Sequence, residues 1–144
     1  MRRLRDDDGS ILPLTIFYGV LSLVLILLVV AASSLYLERK RLFTLADGAA
    51  LAGAEAFDLA DVRPTAAGLR PELTSAEVAE TVRGYLTVAP TDEFESLALD
   101  RAETVDGRSA TVQLSSYWRP PVLSLLVPHG FRIEVTALAR SVFS

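Results

Sequence analysis

Acid–base or nucleophilic chemistry needs a titratable side chain held in register with a partner, and this chain offers few candidates. Its one imidazole, His129, stands between Pro128 and Gly130, a turn signal in which a solvated ring is the expected state. There is no cysteine, so thiol catalysis, disulfide stapling and thiolate metal sites are excluded. Two carboxylate groups, Asp6-Asp7-Asp8 and Asp92, Glu93 and Glu95, have the charge to attract a cation, but neighbouring acids on polar segments are ordinarily just hydrated. Gly48 and Gly53 lack the flanking Lys-Ser/Thr of a phosphate loop. No His, Cys and carboxylate fall at metal-ligand spacing. The expectation is a protein that is not an enzyme, takes no cofactor and acts on no small-molecule substrate. Fourteen scattered basic residues against eighteen acidic ones, a net charge of −4, also argue against nucleic acid, which needs a concentrated basic face.

The spacing that does carry a signal belongs to small residues. Leu42, Ala46, Ala49, Gly53 and Ala56 recur at i, i+3, i+4 and i+7, one stripe of a helix, with Ala50 and Phe57 beside it. Small side chains let another backbone approach closely. Two uses are open: docking against neighbouring helices, or packing on this chain's own sheet.

The element that must position this stripe begins far upstream. From Ile11 to Tyr36 no residue is charged, a run of about 26 residues against the roughly 20 needed to cross a hydrocarbon core as a helix. A buried core helix of that character would need protein on every side, and the rest of the 144 residues cannot supply it. The run is also longer than the apolar part of a cleaved secretory signal. Pro13 sits near the helix start, where its missing N–H costs little. Tyr18 and Tyr36 lie towards the two ends, at the depths where aromatic anchors collect. Orientation is not decided by charge, since Arg2, Arg3 and Arg5 balance Arg39, Lys40 and Arg41. A short N-terminal tail left inside favours an N-in, C-out arrangement.

Beyond Tyr36 the helical composition continues through Phe57, rich in Ala, Leu, Glu, Arg and Lys and free of proline. Residues 1–10 therefore read as a tail, 11–36 as a transmembrane helix, 37–58 as a helical stalk, 59–73 as a Pro- and Gly-containing linker and 74–144 as a small exported domain. In that domain Thr74 and Glu77 form a capping-box pattern opening a helix that ends before Pro90. Ser96 to Thr104 alternates as a strand with Leu97, Leu99 and Arg101 on one face. Asp106-Gly107 is a hairpin signal leading into a second strand, Ser109 to Trp118, and Phe131 to Phe143 is a third. Between them Trp118 to His129, with an apolar hexamer at its centre, reads either as core closure or as a loop touching the bilayer or a partner. The fold class expected is α+β: a long N-terminal helix and a short second one covering a three-stranded antiparallel sheet.

The N-terminal half resembles the TadE/TadG-like family of tight-adherence (Flp) pilus-assembly proteins in its actinobacterial form. The residues that carry this run from Asp8-Gly9-Ser10-Ile11-Leu12-Pro13-Leu14, through the apolar helix and Leu37-Glu38-Arg39-Lys40-Arg41-Leu42, to Leu45-Ala46-Asp47-Gly48-Ala49-Ala50-Leu51-Ala52-Gly53-Ala54. The resemblance implies a pilin-like, single-pass protein of the bacterial inner membrane. It would act as minor pilin or assembly factor, with the lipid bilayer and other pilins or pilus-assembly membrane proteins as partners. Processed members of this group are cut after such a glycine, which makes Gly9–Ser10 the candidate processing step. The glutamate they carry five residues after the glycine is Leu14 here, which argues against the cut. A membrane-tethered envelope binding or scaffold module is the alternative function.

Overall fold

The computed structural model describes residues 11–56, 63–65, 68–70, 72–121 and 128–140. The uncharged run and the Ala-rich stretch behind it form one unbroken helix, α1, from Ile11 to Ala54. Its 44 residues make a rod about 66 Å long. Inside the apolar part the Thr15 hydroxyl donates to the Ile11 carbonyl at 2.9 Å, so this polar group carries its own hydrogen-bond partner.

Two short strands follow, β1 (Arg63–Thr65) and β2 (Gly68–Arg70), paired antiparallel. The segment expected as a linker thus contains a small ladder. The second helix, α2, covers Ser75–Val88. Its capping box is complete: the Glu77 N–H donates to Thr74 Oγ1 at 3.3 Å and the Thr74 N–H donates to Glu77 Oε2 at 2.9 Å. Ala89, held extended by the proline after it, ends the helix.

Strands β3 (Glu95–Glu103), β4 (Ser109–Trp118) and β5 (Phe131–Arg140) form an antiparallel meander with β4 in the middle. The β4–β5 register is regular from Ser109↔Arg140 to Trp118↔Phe131. On β3 the register slips between Glu95 and Ala98 and again between Leu99 and Arg101. The second slip corrects the expected face. Leu97 and Leu99 turn inward, but the extra residue reverses the alternation, so Ala102 packs on the core and Arg101 points outward.

One core holds these elements together. The α1 residues Leu42, Leu45, Ala46, Ala49, Ala50 and Ala54 pack against Val78 and Val82 of α2. They also meet Ala110, Val112 and Leu114 of β4 and Val135 and Ala137 of β5. The stretch expected as a stalk is therefore the central helix of the domain. The polar face of the sheet is closed by Arg132, which reaches Asp100 on β3 at 2.9 Å, Ser115 on β4 at 3.1 Å and Glu134 on its own strand at 3.1 Å. Fold class matches the α+β expectation. The first helix stops at Ala54, short of the Phe57 expected, where the Ala56 N–H donates to the Gly53 carbonyl at 3.3 Å and the chain leaves the α-helical pattern in a tighter turn. The third strand's end at Phe143 and the hexamer Val122 to Val127 lie outside the described residues.

Candidate helix-packing interface

Each member of the small-residue stripe is placed by α1, and its neighbours are this chain's own. Leu42, Ala46 and Ala49 are wholly buried, Gly53 is buried and Ala56 is half-buried against the same core. Gly53 marks the closest approach. A Cβ there would lie 3.1 Å from Val82 Cγ2, 3.2 Å from Val78 Cγ1 and 3.3 Å from Ala110 Cβ, so one point brings α1, α2 and β4 together. Gly48 faces the Tyr85 hydroxyl, which a methyl at that position would displace. The alanines serve the same end, since a helix with small side chains can lie close on a sheet of ordinary residues.

Outward-facing residues lie on the other side of the same helix. Tyr36, Phe43 and Leu51 are exposed, Phe43 by 48% and Leu51 by 53%, and Lys40, Thr44 and Asp47 are interleaved with them. Sequence reasoning passed over this second stripe because Phe43 and Leu51 sit among charged and polar neighbours. Their spacing opposite the alanines was the available signal. Below it, from Ile11 to Val30, almost every residue is exposed among the described residues. Only 6% of the most apolar window, of mean hydropathy 2.8, is buried. That separates it from a core helix, whose apolar side chains are enclosed. One N-terminal helix of this length and composition fits a single-pass membrane protein.

The junction between this span and the sheet was not legible beforehand. The Trp118 indole N–H donates to Ser34 Oγ at 3.2 Å, fastening the end of β4 to the C-terminal end of the uncharged stretch of α1. A groove of about 470 Å³ runs beside it, lined by Ala32, Leu35, Tyr36 and Ile133 and by the charged Arg39, Arg132 and Glu134.

The titratable residues have mostly structural employment. His129 is exposed in the turn before β5. Glu93 pairs with Arg41 at 3.6 Å and Glu95 pairs with Arg119, so this acidic group is drawn apart by separate cations. Asp106 Oδ1 accepts from the Ser109 hydroxyl at 2.7 Å and from the N–H groups of Ser109 and Arg108 at 2.7 and 2.9 Å. These bonds, the Ser109 hydroxyl foremost, pull its carboxyl down to about 2. Asp100 is lowered by the Ser115 hydroxyl and then by Arg132, whose guanidinium is raised in return by Asp100. Among the described residues no group of three His, Asp or Glu side chains is placed to hold a metal ion. Asp6-Asp7-Asp8 and the Gly9–Ser10 step lie outside them.

Comparison with known proteins gives a family match over the N-terminal third of the chain. Residues 9–56 match the family described as Flp pilus-assembly TadE/G-like. No curated protein and no solved structure matches the chain. The matched segment begins two residues before α1 and ends two residues after it, so the family's signature and the long helix are one object.

Proposed function

With residues 9–56 a TadE/G-like Flp pilus-assembly segment as the premise, we propose that this protein is a minor pilin or assembly factor of a tight-adherence pilus. The observation that carries the reading is the coincidence of the family segment with α1. Involvement in such a pilus is what the family match over residues 9–56 supports. The finer role rests on a helix whose membrane-length half is almost wholly exposed among the described residues and whose other half is the core of a small domain. In this reading the protein sits in the bacterial inner membrane, N-terminus inside. The apolar half of α1 packs among the helices of other pilins or assembly proteins, and the α+β domain stands outside. It performs no catalysis and needs no cofactor.

The competing reading, a membrane-tethered envelope binding or scaffold module, makes the helix a mere anchor. The two part on one experiment: exchange of Ile11–Val30 for an unrelated transmembrane helix, followed by counting surface pili and by co-purification from detergent-solubilised membranes. Loss of pili and of co-purifying pilus components, with the domain still folded, is the expected result. Full piliation after the exchange would leave only the tether.

A further inference from the structure

We infer that the membrane-facing end of the sheet, built on Trp118 and Phe131, rests in the headgroup layer of the bilayer that α1 crosses, so that the domain lies on the lipid rather than above it. This rests on the membrane crossing of α1 but not on a role in pili.

The argument is one of height. The uncharged part of α1 extends from Ile11 through Leu37 and is centred on Val24. A hydrocarbon core of ~30 Å takes ~20 helical residues, which from that centre reaches about as far as Ser34. Ser34 is the residue that accepts the Trp118 indole N–H at 3.2 Å. The end of β4 therefore stands at the border between hydrocarbon and headgroups, with the Trp118 ring itself largely buried and its neighbour Phe131 left to face that layer.

The neighbours suit the same layer. Phe131, directly across the ladder from Trp118, keeps 53% of its surface exposed, and the two rings are 6.3 Å apart. An exposed phenylalanine is costly in water and favoured at this depth. Gly130, at φ +66, holds the turn so close that a Cβ would lie 2.7 Å from the Trp118 carbonyl oxygen, which keeps Phe131 aimed along this edge. The groove alongside has the mixed character of this layer: Ala32, Leu35, Tyr36 and Ile133 line it together with the charged Arg39, Arg132 and Glu134. By contrast Leu138, seven residues further along β5, lies roughly 23 Å away from this end.

The absence of cysteine allows a direct test. Phe131→Cys and Leu138→Cys, each carrying a nitroxide, are reconstituted as full chains in phosphatidylcholine–phosphatidylglycerol vesicles. Collision with oxygen, which concentrates in lipid, is compared with collision with a water-soluble nickel chelate. The label at Phe131 should favour oxygen several-fold, and the label at Leu138 should favour nickel. Equal nickel access at both sites overturns the proposal. So does protection of Phe131 from both reagents, which would mean that protein covers this edge. A second reading avoids substitution. Trp118 is the only tryptophan, and its fluorescence in the unmodified chain should be quenched more by lipids brominated near the carbonyls than by lipids brominated near the chain ends. No quenching by either also overturns it. Flotation of the chain with the vesicles checks the membrane crossing separately, so a domain held off the lipid is distinguishable from a helix that never inserted.

Discussion

At the scale of the residue, Gly53 and Asp106 show how little slack the fold has. Three side chains converge on Gly53 at 3.1 to 3.3 Å from where a Cβ would stand. Gly53→Ala asks each neighbour to yield a few tenths of an ångström and recovers up to ~1 kcal/mol of helix propensity, so it should be near neutral. Gly53→Leu must separate α1 from both α2 and β4, and should cost about 3 kcal/mol in chemical denaturation. A leucine variant as stable as the parent would mean that α1 is not seated here. Asp106 makes a prediction in pH. Its folded carboxyl lies near 2, below the ordinary 3.8, so its contribution is full above about pH 4 and is lost as pH falls towards 2. The stability deficit of Asp106→Ala should therefore shrink over that window, while Asp106→Asn, which keeps an acceptor without a charge, should flatten this part of the acid limb. Thermal melts between pH 2 and pH 6 read both.

The elements divide into those that local chemistry specifies and those that packing specifies. The α2 boundaries follow from Thr74, Glu77 and Pro90, because a cap and a proline act within a few residues of themselves. The Asp106-Gly107 turn was legible for the same reason, with Gly107 at φ +67 and the Asp106 carboxylate gathering the next N–H groups. Alternation along β5 survives in the fold, but on β3 it was misread beyond Leu99, since a bulge is set by how an edge strand meets its partner. The second half of α1 was legible as helix but not as core. Its place between α2 and the sheet leads to a prediction at this scale. A chain beginning at Glu38 should fold in water without detergent and unfold cooperatively, whereas one beginning at Thr74, stripped of Leu42 to Ala54, should not. Within the shorter fold Leu42→Ala, at a wholly buried site, should cost about 2–5 kcal/mol.

For the whole molecule, one helix serves two solvents. Between Ile11 and Val30 it offers apolar side chains on all sides, and between Leu42 and Ala54 it offers a single face to protein. The full chain should remain with the membrane pellet after an alkaline carbonate wash, and the chain beginning at Glu38 should be released to the supernatant. Release of the full chain would remove the basis for a membrane crossing and with it the reading of α1 as a pilus-assembly helix. Retention of the shorter chain would point instead to a strong lipid contact made by the domain alone.

Composition and order along the chain by themselves determined the length and apolarity of the membrane segment, the caps and turns, and the family segment, since each is a property of consecutive residues. Where the small-residue stripe goes was left open between a foreign helix and the chain's own sheet, and only the tertiary structure decided it. The stripe's two uses share one periodicity and differ only in what arrives from elsewhere. The Trp118–Ser34 bond, 84 residues apart in the chain, belongs to the same class. No local rule reaches that far, because the register of a sheet against a helix is set by the sum of the packing between them.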